Sequence, residues 1–148
     1  MAYQLIPATS EDQAWLEQLR RAVYQELFFA TWGGWDEARH LRHCGECWER
    51  GGIYCVEVDG MRVGMIQLFE RDDAIEVGEI QIQPTHQGHG IGTRLLLDTI
   101  ARAHARRKKV SLSTALKNQR AFDLYRRLGF RHIAHTDTHN HMECERES

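Results

Sequence analysis

Gln87-Gly88-His89-Gly90-Ile91-Gly92 carries the densest chemical signal in the chain. Half of these residues are glycines, and an apolar helical pattern follows them directly. Glycine accepts the left-handed backbone of a tight turn and lets a ligand approach the main chain closely. A helix N-terminus adds free N–H groups and about half a positive charge. Together these make an anion site; on the plainer reading, the run is only a turn. The triphosphate loop G-x-x-x-x-G-K-[ST] does not fit, because no lysine directly follows any of these glycines. The dinucleotide pattern G-x-G-x-x-G fits poorly, since position 93 is Thr and residue 112, where an acid would be needed, is Leu.

A second cluster lies in HLRHCGECW, residues 40–48. His40, His43, Cys44 and Cys47 fall at i, i+3, i+4 and i+7, on one helical face. Two histidines and two cysteines are a conceivable zinc donor set. Four donors along one side of one helix rarely close a tetrahedron, so small thiols on a buried helix face are the expected arrangement and no metal is assigned. A redox reading of Cys44 and Cys47 lacks the thioredoxin-like strand before it.

The elements that must position these groups are legible from periodicity. Residues 3–6 read as a short strand, and Ser10 with Gln13 as a capping box. Trp15, Leu19, Ala22, Val23 and Leu27 recur at helical spacing, which predicts a helix to about residue 28, broken by TWGGW. Asp36 can cap a second helix ending near Gly51. Residues 53–58, the turn Asp59–Gly60 and residues 62–69 give a hairpin, and 74–83 a third strand ended by Pro84. A helix follows over about 91–107, then a strand at 110–114, a helix capped by Asn118 and stopped by Gly129, and strands at 130–136 and 138–145. The order β-α-α-β-β-β-α-β-α-β-β is an α+β fold with a mixed sheet flanked by helices.

Composition narrows the function classes. A chain of 148 residues suits a single domain over 1–148. A net charge of −2 gives no nucleic-acid footprint. No run of about 18 apolar residues exists to span a membrane, and no secretory signal is visible. Four irregularly spaced cysteines read as reduced thiols of a cytoplasmic protein.

A third phosphate-binding pattern, Q/R-x-x-G-x-G/A, is met by Gln87 through Gly92. With the strand EIQIQP before it and NQRAFDLYRRLGF (118–130) after it, the chain resembles the GNAT superfamily of acyltransferases over nearly its whole length. FFATWGGWDEA and TDTHNHM are similar to a small bacterial-type branch with no assigned acceptor. The resemblance implies acetyl transfer from acetyl-CoA, as cosubstrate, to a primary amine, expected to be a small molecule. It also implies a pantetheine arm paired with the backbone of Ile80, Gln81 and Ile82. The amides of Gln87, Gly88, His89, Gly90, Ile91, Gly92 and Thr93 would take the pyrophosphate, with Asn118 a further contact.

Tyr125 aligns with the tyrosine that often protonates the departing thiolate; a buried core tyrosine would look the same. Glu79 matches a position where members often carry a carboxylate, and so could drain the proton of an ammonium acceptor. A solvated strand glutamate is the alternative, and some members use a water chain. Strand alternation puts Glu79 with Gln81 and Gln83, opposite Glu76. Acceptor contacts are expected from Trp32 and Trp35, by apolar and cation–π contact, from Asp36, and from His139, with His141 beside it. Core packing of Trp35, capping by Asp36 and inert surface histidines are the plainer readings. Two other functions stay open: an acyl-CoA-binding sensor with little activity, and a metal-binding protein on the same fold. Final hairpins in this family often pair across dimers, so a homodimer is a further expectation.

Overall fold

Asp59 and Gly60 both adopt positive φ, 53° and 78°. That is the backbone a two-residue hairpin turn needs between right-twisted strands. Around this turn the computed structural model, which describes residues 2–145, orders its elements as the periodicity predicts. They are β1 (Gln4–Pro7), α1 (Gln13–Trp32), α2 (Glu37–Arg50), β2 (Ile53–Val58), β3 (Met61–Glu70) and β4 (Ala74–Ile82). Then come α3 (Ile91–Ala105), β5 (Lys109–Ala115), α4 (Gln119–Arg127), β6 (Arg131–His135) and β7 (His139–Cys144). The sheet is mixed and seven-stranded, in the order β1-β2-β3-β4-β5-β7-β6. β4 and β5 are the parallel pair, joined over Ala74–Val77 and Lys109–Leu112, while β7 lies antiparallel to both β5 and β6.

Two boundaries differ from the expectation. Helix α1 runs on to Trp32, because Gly33 is the first residue able to take the left-handed stop (φ 74°), where its N–H reaches the Phe29 carbonyl at 2.9 Å. At the other end the capping contact is made one residue early. The Thr9 N–H donates to Asp12 Oδ2 at 2.8 Å across a short 3₁₀ turn, and buried Asp12 is paired in turn with Arg62.

The chain divides into two compact units, Met1–Gln67 with Glu79–Ile91, and Leu68–Gly78 with Gly92–Ser148. The first is built on Leu19, Ile53 and Met65, against which Trp15, Leu16, Val23 and Trp48 pack. Burying each of the three contributes roughly 1.5–3 kcal/mol. Buried Gln67 ties α2 to the sheet: its Nε2 donates to the carbonyls of Cys47 (2.9 Å) and Gly51 (2.8 Å). Gly64 is required by space, since a Cβ there would lie 2.3 Å from the Gln81 carbonyl oxygen. In the second unit Val77, Leu96, Val110, Leu112, Phe130 and Met142 are buried. Arg94 of α3 lies beside Asp98 at 3.8 Å, and Arg106, just past the end of that helix, is paired with Glu70. Among the described residues no helix is long and apolar enough to cross a membrane.

Candidate active site

The glycine loop takes the backbone its sequence demands. Gly88 and Gly90 have φ of 80° and 82°, and a Cβ built on either would meet nothing within 4 Å. Their need for glycine is therefore conformational, and the space beside them is open. Gln87 fastens the loop to the strand before it: Nε2 donates to the Ile82 carbonyl at 2.9 Å, and its own N–H turns inward to Pro84 at 3.3 Å. Ile91 is buried and begins α3, so the first N–H groups of that helix, which have no partner within a helix, follow the two left-handed glycines. His89 is exposed. Two left-handed glycines with open space beside them, ahead of a helix start, suit a pyrophosphate, so the loop fits the group its sequence implies.

A pocket lies within the first unit, lined among others by Glu17, Arg20, His43, Cys44, Trp48 and Gln81. Helix α1 supplies Glu17 and Arg20, α2 supplies His43, Cys44 and Trp48, and β4 supplies Gln81. Beside it, Glu79 Oε1 accepts a hydrogen bond from His43 Nε2 at 2.7 Å. Glu79 Oε2 faces Gln81 Nε2 at 3.4 Å, so the two side chains share a strand face as alternation requires. Glu76 turns elsewhere and pairs with Arg71 at 3.0 Å.

The HLRHC helix resolves into separate roles. His40 is buried, and Arg20 Nη1 donates to its Nδ1 at 2.9 Å. Burial, then the charges of Arg20 and Arg21, push the His40 pKa down, which keeps the ring a neutral acceptor. Burial pushes the Cys47 thiol up to about 12 and raises Cys44 as well. Neither thiol is set up as a nucleophile or as a thiolate ligand. Among the described residues no three of His, Cys, Asp and Glu gather as a metal site.

Trp35 packs 5.0 Å from the His40 ring and 5.9 Å from the Arg20 guanidinium carbon, and its Nε1 donates to Glu37 at 2.9 Å. Asp36 caps α2, accepting from the Arg39 N–H at 3.0 Å. Trp32 is largely exposed and meets Phe28 edge-on at 4.8 Å. None of the three lines the pocket. In the second unit, Asn118 Oδ1 caps α4 by accepting from the Ala121 N–H at 3.2 Å. Tyr125 is buried on α4, its ring 5.9 Å from that of Phe130. His139 is exposed, with Nδ1 2.8 Å from Thr138 Oγ1. Ile80 and Ile82 are half-buried on β4. Sequence reasoning missed Arg20 and His43 as pocket residues. Arg20 carried no motif, and the zinc-like spacing drew His43 towards its own helix rather than towards Glu79, 36 residues on.

Residues 15–130 match the acetyltransferase (GNAT) family. An uncharacterized N-acetyltransferase of Methanocaldococcus jannaschii is 29% identical over 123 residues, covering 72% of this chain and 54% of that protein. The spermidine N(1)-acetyltransferase of Escherichia coli is 30% identical over 138 residues, 85% of this chain and 71% of its own. The chain thus spans about half the length of the first relative. Among solved structures, the PaiA N-acetyltransferase of Thermoplasma acidophilum, in complex with coenzyme A, is similar at a TM-score of 0.68. The two are 18% identical, with 98% of this chain and 99% of that one covered, so the likeness is one of fold.

Proposed function

We propose that this chain, which belongs to the acetyltransferase (GNAT) family, transfers an acetyl group from acetyl-CoA to the primary amine of a small molecule. The observation that carries the reading is the pair of left-handed glycines, Gly88 and Gly90, opening onto the start of α3. The coenzyme A complex of the structural neighbour supports it. Residues 1–148 act in this reading as one acetyltransferase domain.

Bound acetyl-CoA supplies an activated acetyl thioester. The backbone of Ile80, Gln81 and Ile82 holds the pantetheine arm. The pyrophosphate is held by main-chain amides from Gly88 through Thr93, with Gln87 fastening the loop and Asn118 contacting the cofactor while capping α4. An aliphatic ammonium has a pKa near 10 and must lose a proton before it attacks. Glu79 provides the negative charge that draws this proton away. Tyr125 gives its phenolic proton to the departing sulfur and recovers one from solvent. The pocket lined by Glu17, His43 and Gln81 receives the amine. Trp35 and Asp36 support it by packing against Arg20 and His40 and by capping α2, and Trp32 and His139 are the further acceptor contacts in this reading. Edge strand β6, exposed along its length with Ile133 outward, is where a second copy would pair in a homodimer. Four free thiols accord with a reducing cytoplasm.

Calorimetric titration with acetyl-CoA, with NAD and ATP as controls, tests the loop. Binding of acetyl-CoA alone, followed by thiol release in a panel of amines that includes spermidine, is the expected result. Tyr125→Phe should lower turnover about tenfold with unchanged coenzyme affinity. A wild type that binds no acetyl-CoA, or that binds it and acetylates nothing, refutes the reading.

A further inference from the structure

We propose that His43 is the group that takes the acceptor's proton, with Glu79 behind it as a positioning residue. The proposal rests on the acetyl-transfer reading above and deepens it. Both oxygens of Glu79 are engaged, Oε1 by His43 at 2.7 Å and Oε2 by Gln81 at 3.4 Å, and Glu79 is not among the residues lining the pocket. His43 is. A bound amine therefore meets the imidazole before it meets the carboxylate.

The hydrogen bond fixes the ring. An ionised carboxylate only accepts, so Nε2 carries the proton and Nδ1 of the neutral ring carries the lone pair. The ammonium gives one proton to Nδ1, and the imidazolium that forms is stabilised by Glu79. The free amine attacks the thioester carbonyl, the C–N bond forms and the C–S bond breaks. Tyr125 protonates the sulfur, the amide nitrogen loses its second proton to solvent, and His43 returns its proton to water. An ordinary imidazole is about two pKa units more basic than an ordinary carboxylate, which makes it about a hundredfold better placed to hold an ammonium's proton. Other titratable and charged groups share the pocket: Glu17 and Arg20 from α1, and Cys44 and Cys47 from α2. Both thiols are held protonated by burial, while Ile53 of β2 and Met65 of β3 carry no charge. Glu17 and His43 are the proton acceptors left, and of these His43 is the imidazole, fixed in place by Glu79.

The test compares two acceptor probes, n-butylamine, an ammonium at pH 7, and methoxyamine, already neutral. His43→Gln should lower kcat/KM for n-butylamine at least a hundredfold and for methoxyamine no more than about threefold, with added imidazole restoring part of the loss. The acidic limb of the n-butylamine pH profile should disappear in the variant. Equal losses for both amines, or none, overturn the proposal. A second measurement stands apart from turnover: ¹⁵N spectra of the wild-type imidazole near neutral pH. The Nε2–H tautomer, with an Nδ1 signal that moves on adding n-butylamine, supports the proposal; the Nδ1–H tautomer or an unresponsive signal overturns it. If wild type acetylates neither probe although it binds acetyl-CoA, the acetyl-transfer reading loses support for alkyl amines, and these spectra alone decide for or against the His43 contact.

Discussion

Among the described residues are two histidine–glutamate pairs of similar length, and they differ in what surrounds them. His43 meets Glu79 at 2.7 Å, and His141 meets Glu143 at 3.1 Å. Each histidine side chain is 40% exposed, so exposure does not separate them. The first pair is tertiary, joining α2 to β4, and its imidazole lines a pocket. The second is local: alternate residues of β7 share one face, and Lys109 reaches the same carboxylate at 3.1 Å. Burial works against the charge of Glu143, but hydrogen bonds from His141 and Lys109 outweigh it and hold the carboxyl below its ordinary range. That carboxylate already has a permanent cation. Glu79 has His43 and a neutral amide. The same two side chains thus form a three-membered ion cluster with Lys109 in one place and, in the proposed mechanism, a proton site in the other.

Removing each carboxylate in turn gives the largest expected contrast. Glu79→Gln should lower kcat/KM for an alkyl amine on the order of a hundredfold, within the range general-base groups supply. Glu143→Gln should leave kcat/KM within about twofold and cost at most about 1 kcal/mol of stability, as for a surface pair. Equal effects on turnover would erase the distinction drawn between the two pairs.

The same contrast marks what could be read from the sequence. The second unit was local enough to read. Asn118 caps α4 and Gly129 stops it with φ at 104°, because a cap needs only its neighbours within four residues. The glycine loop was legible for the same reason, since left-handed backbone selects glycine at Gly88 and Gly90. Strand alternation correctly put Glu79 with Gln81. What the sequence could not carry was the partner of His43, because nothing local relates position 43 to position 79. The end of α1 was misplaced since Phe28, Phe29 and Trp32 are equally at home in a helix or a break, and only Gly33 decides. Gln67 reads as one polar residue in an apolar strand; its role depends on carbonyls at the end of α2.

Two glycines sharpen the comparison at the level of packing. A Cβ on Gly64 would lie 2.3 Å from a main-chain oxygen that cannot swing aside. Gly64→Ala should cost about 1–3 kcal/mol, the range of an overpacked interior, and weaken acetyl-CoA binding through the displaced Gln81 backbone. On Gly129 the nearest atom would be Cys144 Sγ at an ordinary 3.7 Å, so Gly129→Ala pays only for its positive φ, about 1 kcal/mol, with coenzyme affinity unchanged. Urea melts and coenzyme titrations of both variants measure this, and an equal loss of affinity would remove the special standing of the Gly64–Gln81 approach.

The smallest effect expected is a pH dependence confined to the first unit. The His40 pKa is lowered by burial and by Arg20 and Arg21, whereas in the unfolded chain it is near 6.5. As pH falls, the unfolded state binds the proton first. Stability from His40 is therefore full above about 6.5 and is lost as pH falls from there towards the lowered folded value. Glu37 does not confuse this window. Hydrogen bonds from Arg21 and Trp35 hold its carboxyl at about 2, so its contribution is present above the ordinary carboxylate value near 4.3 and lost only below it. His40→Gln retains an acceptor for Arg20 but does not titrate. Between pH 7.5 and 5.5 the urea midpoint of wild type should fall more than that of His40→Gln. Parallel slopes would mean that the His40 proton is no part of the pH response, and that the Arg20–His40 contact survives protonation by rearranging.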